Sequence, residues 1–145
     1  MNKETICRIC AQNNLPKPES IKRCAVGIAN YVYIVKCGGE KYTVRMNREQ
    51  DAYCDTIYWL EKLNDAGVPM PHVIGHGRSD GFEYLILSYI EGGVLANVHS
   101  SLGIDDKREI ARQFAAYQRL CSQMSIPTKS TKSNRSLTGE QIRAT

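Results

Sequence analysis

Three features of the chain have residue types and spacings that could do chemistry. Cys7-Arg8-Ile9-Cys10 has the C-x-x-C spacing of metal and redox sites, but no second pair completes four ligands. It reads instead as two thiols on one side of an N-terminal helix. His72, His76 and His99 make no obvious metal set. Arg45 is a single cation near the end of a β-prone run, downstream of the tight turn Gly27-Ile28-Ala29-Asn30.

The elements that must position Arg45 are short strands. Ile21–Val26 is one, stopping at Gly27. Tyr31–Cys37 alternates, with Val32 and Ile34 on one face and Tyr31, Tyr33 and Val35 on the other. Gly38-Gly39-Glu40 turns the chain into Lys41–Met46, where Tyr42 and Val44 share one face and Thr43 and Arg45 the other. Asn47-Arg48-Glu49-Gln50 is close to a capping box and predicts a helix lasting to Ala66, stopped by Gly67, with Ala52, Tyr53, Ile57, Leu60 and Leu63 as its apolar face. His72–His76 and Phe82–Ser88 read as two further strands about a Ser79-Asp80-Gly81 turn. Helices are predicted before and after, at Asn2–Asn13 and at Asp105–Met124 with Asp105 as N-cap.

This order resembles the N-terminal lobe of the aminoglycoside phosphotransferase and choline kinase family, relatives of the protein kinases, over roughly Pro18 to Cys121. The resemblance rests on Gly27-Ile28-Ala29-Asn30 (G-x-x-N), Val32-Tyr33, Val44-Arg45, Val68-Pro69-Met70-Pro71 and the hinge-like Ser88-Tyr89-Ile90-Glu91-Gly92-Gly93. It implies that the Gly27 to Asn30 turn, including Ile28, covers ATP phosphates and that Arg45 takes the place of the kinase phosphate-binding lysine. It also implies a purine held by the Ser88 carbonyl and the Ile90 amide, with Leu87 behind it and Val32 and Thr43 above. For the acid that would pair with Arg45, Glu49 is preferred over Asp55; alternatively Glu49 and Asp51 simply favour the positive end of a helix.

The family's catalytic H-G-D-x-x-x-x-N and its later metal-binding aspartate are not in the sequence. His76-Gly77-Arg78 carries arginine where that aspartate belongs, and it precedes the fifth strand. The resemblance therefore implies ATP or GTP with magnesium as cofactor, but no magnesium ligands and no catalytic residue on this chain. A fragment, a truncated gene product or one piece of a split enzyme is expected, binding nucleotide without turnover, with a missing large lobe or a second copy as possible partner. The alternative is a non-catalytic interaction module that docks a partner or self-associates.

Composition agrees with one core of ordinary size, at 42% hydrophobic in 145 residues. The net charge of +4 is uneven: Ser122–Thr145 holds 4 of the 19 basic residues and 1 of the 15 acidic ones. The body is nearly neutral, which argues against a nucleic-acid surface there. No apolar run would cross a membrane and the start lacks signal-peptide order, so a cytoplasmic chain with six reduced cysteines is expected. The predicted architecture is α+β, with a five-stranded antiparallel sheet, one packed helix, and a helical segment at either end. Its expected parts are residues 1–17 as N-terminal helix, 18–91 as the lobe, 92–124 as hinge and first helices of a second lobe, and 125–145 as a disordered tail.

Overall fold

The computed structural model describes residues 3–24 and 31–124. In chain order the elements are α1 (Lys3–Gln12), β1 (Pro18–Arg23), β2 (Tyr31–Cys37), β3 (Glu40–Asn47), α2 (Cys54–Asp65), β4 (Val73–Ser79), β5 (Phe82–Ser88), α3 (Leu95–Val98), a 3-10 turn (His99–Ser101) and α4 (Ile104–Ser122). The strands form one five-stranded sheet in the order β1-β2-β3-β5-β4, antiparallel throughout.

Two hairpins have two-residue loops. Gly38 and Gly39 have φ of 59° and 86°, and Asp80 and Gly81 have 51° and 77°. Positive φ at both central residues gives a turn whose twist matches that of the strands it joins. β1 begins earlier than its apolar residues predict, because Pro18 is tolerated as the first residue of an edge strand. The far end of the predicted strand, including Val26, lies outside the described residues. β4 runs on to Ser79, carried by its pairing with β5 as far as Ser79 opposite Phe82.

Period-2 alternation gives the sheet two apolar faces. On one, Tyr33, Val35, Cys37, Val44, Met46, Tyr84 and Ile86 pack with Ile6, Ile9 and Cys10 of α1. Each fully buried aliphatic here is worth about 1.5–3 kcal/mol. On the other, Leu85 and Leu87 pack with Tyr53 and with Leu60 of α2. The N-terminal helix is thus as much a layer of the fold as α2.

α1 is also pinned by polar contacts to β4 and β5. Thr5 Oγ1 donates to Asp80 Oδ2 at 2.8 Å, and Arg8 pairs with the same carboxylate. Asn13 Nδ2 donates to the Ile9 carbonyl at 2.8 Å and to the Tyr84 hydroxyl at 3.0 Å. Its amide sits where a side chain at Gly75 would go: a Cβ there would lie 2.0 Å from Asn13 Oδ1. The thiols of Cys10 and Cys37 meet in this core with sulfurs 3.9 Å apart, and burial pushes Cys10 up to about 12. Among the described residues no group of three or more His, Cys, Asp or Glu side chains is placed to hold a metal.

The helix after β3 starts later than the near-capping box suggests. Asn47 Oδ1 accepts the Glu49 amide at 3.0 Å, a side-chain turn that competes with helix formation, and Asp51 lies at φ 56°, a backbone no right-handed helix contains. Residues 48–53 are consequently turn, and Tyr53 is the N-cap of α2. The helix ends as predicted, the Gly67 and Val68 amides donating to the Asn64 and Leu63 carbonyls in a glycine-terminated Schellman cap. α4 is capped by Gly103, not Asp105: the Asp106 carboxylate reaches back to the Gly103 amide at 3.2 Å. The disordered tail expected at 125–145 falls outside the described residues. No helix among the described residues is long and apolar enough to cross a membrane.

Gly75→Ala should cost about 1–3 kcal/mol in urea unfolding, because Asn13 can yield only by giving up its hydrogen bonds. In an Asn13→Ala background, with the obstacle gone, the same added methyl should cost no more than about 0.5 kcal/mol.

Candidate functional site

Residues directly opposite one another in the sheet share a face, so the register sets which side chains meet. Val32 lies opposite Arg45, which lies opposite Leu85; Ile34 lies opposite Thr43, which lies opposite Leu87. These two rows, about 7 Å apart along the strands, face the α2 side, because Leu85 and Leu87 pack there. The row nearer the end of β5 is apolar apart from the small Thr43 hydroxyl. The row behind it carries the cation. A planar ring over the first row would direct an anionic substituent toward the second.

β5 ends at Ser88, whose amide donates to the His72 carbonyl at 2.9 Å while its hydroxyl accepts the His72 amide at 2.9 Å. Ile90 follows in non-regular backbone and is 58% exposed. This segment is tied to the sheet from β3: Lys41 Nζ contacts Glu91 Oε1 at 2.6 Å and lies 5.2 Å from the Tyr89 ring centroid. The hydrogen bond to Glu91, reinforced by its charge, raises the Lys41 ammonium above its ordinary value.

Val32, Thr43, Arg45 and Leu87 therefore share one face, and Ser88 and Ile90 lie at its edge. Gly27, Ile28 and Asn30 lie outside the described residues. Glu49 is corrected as a helical residue: it is exposed in the turn before α2, and its amide is held by Asn47. Among the described residues no ion pair includes Arg45. Its contact is aromatic, the guanidinium carbon lying 5.6 Å from the centroid of the Tyr53 ring.

Two residues here escape a reading by spacing alone. Tyr53, 3% exposed, looks like one more member of an apolar helix stripe. Glu83 shares the face of Leu85 and Leu87 by its period-2 position in Phe82–Ser88, lies opposite Asn47, and pairs with Arg78 at 3.5 Å. That alternation was the available signal.

Among the described residues beyond Glu91 there is little buried surface. Neither α3, the 3-10 turn nor α4 has a buried residue. Ile90, Val94, Leu95, Val98, Ile104 and Phe114 are exposed. A cavity of about 460 Å³ lies between these helices, away from the Arg45 face, walled by Leu95, Leu102, Ile110 and Phe114.

A model of the phosphotransferase enzyme family matches residues 20–144. The uncharacterized protein of the ileS 3′ region of Staphylococcus aureus is 25% identical over 92 residues, covering 54% of this chain and 70% of that protein. Among solved structures, aminoglycoside phosphotransferase APH(4)-Ia aligns with a TM-score of 0.55 at 18% identity, over 67% of this chain and 33% of that one. A thermostable mutant of the same enzyme, in ternary complex with ADP and hygromycin B, aligns at 0.51 with 20% identity, over 63% and 30%. These likenesses show a shared fold, and the chain spans about a third of the length of the solved relatives.

Burial pushes the Tyr53 phenol from 10.0 up to about 12, with the Arg45 cation pulling it down and Glu83 pushing it further up. Below pH 10 the folded and unfolded chains both keep this proton, and its contribution to stability is full. As pH rises toward about 12 the unfolded chain releases it and the folded chain does not, so stability falls, by at most about 3 kcal/mol. Urea unfolding across that window should show the fall in wild type, with this part removed in Tyr53→Phe.

Proposed function

The chain belongs to the phosphotransferase enzyme family, and from that premise we propose that it is the nucleotide-binding part of an ATP-dependent phosphotransferase whose acceptor is a small, aminoglycoside-like hydroxyl compound. The observation that carries this reading is the pair of rows on the α2 face, an apolar one beside the end of β5 and a cationic one behind it. The purine, of ATP or GTP, lies between Val32, Thr43 and Leu87, and the Ser88 carbonyl and Ile90 amide meet its polar edge. Arg45 takes the phosphates, and the turn at Gly27, Ile28 and Asn30 covers them. That a fold relative was solved with ADP supports nucleotide as the ligand class. A cytoplasmic setting, where ATP is available and thiols stay reduced, accords with the reading.

On this reading residues 18–91 are the nucleotide lobe and 92–124 the hinge and first helices of a second lobe. Magnesium would supply charge neutralisation on the phosphates, but it would need carboxylate or amide ligands that the family supplies from motifs this sequence does not hold. The acceptor hydroxyl also needs a base, for which the family uses the aspartate of H-G-D-x-x-x-x-N. This chain alone therefore binds nucleotide without transferring its phosphoryl group.

A second reading, a non-catalytic interaction module, draws on the exposed Ile90, Val94, Leu95, Val98, Ile104 and Phe114. It predicts concentration-dependent association in sedimentation, with no nucleotide effect on thermal stability.

Calorimetry with magnesium and ATP should show weak binding to the wild-type chain and binding at least about tenfold weaker to Arg45→Ala, the loss of a charge-assisted hydrogen bond. Equal affinities for the two chains would remove Arg45 from the site. Phosphoryl transfer to an aminoglycoside by the purified chain would refute the absence of turnover.

A further inference from the structure

A strand cation that grips phosphate must be held in one orientation before the phosphate arrives. The usual device is a carboxylate, which fixes the guanidinium but also occupies part of its donor edge and offsets its charge. Arg45 has no such partner among the described residues. Glu49 is exposed in the turn before α2, and Glu83, the acid on the same sheet face, is paired with Arg78.

What Arg45 does have is the face of Tyr53. That ring is buried against Leu60, Leu85 and Leu87, and its backbone is fixed at the start of α2, where its carbonyl accepts the Ile57 amide at 2.8 Å. Packing and backbone both restrict it. At 5.6 Å from the centroid the guanidinium is within reach of cation–π attraction, which holds it by its charge and, unlike a salt bridge to a carboxylate, takes up none of its N–H donors.

We infer that Tyr53 is the positioning residue of Arg45, holding the guanidinium over its ring by cation–π attraction and leaving its charge and donors available to the phosphates of a bound nucleotide. The inference rests on the reading of Arg45 as the phosphate grip. It adds the means by which that grip is aimed, an aromatic ring in place of an acid. Tyr53 need not touch the nucleotide. Its ring, not its hydroxyl, does the work, so phenylalanine is an adequate substitute and an aliphatic residue is not.

The test compares wild type, Tyr53→Phe and Tyr53→Leu for binding of ATP and of adenosine, which lacks the phosphates. ATP affinity should stay within about twofold in Tyr53→Phe and fall about three- to tenfold in Tyr53→Leu. Adenosine affinity should be the same in all three. Unchanged ATP binding in Tyr53→Leu overturns the inference, and so does parallel loss of ATP and adenosine, which would mean general damage to the face. A second measurement needs no destabilising variant: the Arg45 side-chain N–H signal, assigned with Arg45→Lys, should be displaced by the ring current in wild type and Tyr53→Phe. An undisplaced signal overturns the contact itself. Failure of wild type to bind ATP, with the signal displaced, sinks the nucleotide reading and the role built on it while leaving the contact standing.

Discussion

The register of β3 against its two neighbours decides on which side of the sheet Arg45 emerges. β3 pairs with β2 on one edge and β5 on the other, and the pairing fixes Arg45 between Val32 and Leu85. Because side chains alternate with period 2, a slip of one residue would drive the guanidinium into the core under α1 and turn Val44 and Met46 outward. Burying an unpaired cation and exposing two apolar side chains are both expensive. The slip is also blocked at its source, since the Gly38-Gly39 loop allows only the pairing of Cys37 with Glu40. The hairpin turn and the hydrophobic pattern therefore impose the same register, and the site inherits it.

The two faces of the sheet then divide their tasks. The α1 face is closed, with Ile6, Ile9, Val35, Val44 and Ile86 almost wholly removed from solvent. The α2 face is closed only where α2 and Tyr53 cover Leu85 and Leu87; Val32, Thr43 and Arg45, on β2 and β3, are only partly covered. The closed face and the half-open one thus lie on opposite sides of one sheet, and the proposed nucleotide site falls on the half-open one. The exposed Lys41 and Glu91 pair steadies the exit from β5 and is worth little on its own.

The sheet was the legible part of the sequence. Tyr31–Cys37 and Phe82–Ser88 carry strong β-formers, each with a glycine-containing hairpin turn at one end, and both strands have the predicted ends. The edge strands were less legible, since β1 and β4 draw their limits from pairing partners far away in the sequence. The start of α2 was misread because Asn-Arg-Glu-Gln satisfies a capping pattern locally, while the Asn47 side chain finds a nearer amide and Asp51 turns left-handed. Glu49 therefore stands exposed in the turn before α2, and not one helical turn before Tyr53. No spacing rule would have nominated Tyr53 instead, since a tyrosine in an apolar stripe reads as packing, and only the coordinates put its ring beside a cation. The family model's match over residues 20–144 agrees with the resemblance drawn from the turn, the strands and the Val68 to Pro71 link.

The contacts that dock α1 have a consequence for synthesis on the ribosome. Thr5 and Arg8 find their partner at Asp80, and Asn13 finds Tyr84, separations of 75, 72 and 71 residues. During synthesis β2 and β3 offer Ile6 and Ile9 part of their apolar surface first, but the polar contacts that pin α1 and the surface given by Tyr84 and Ile86 come only once the β4–β5 hairpin has left the exit tunnel. Until then the nascent chain presents a short amphipathic helix that is only partly covered, which is the kind of segment that chaperones hold.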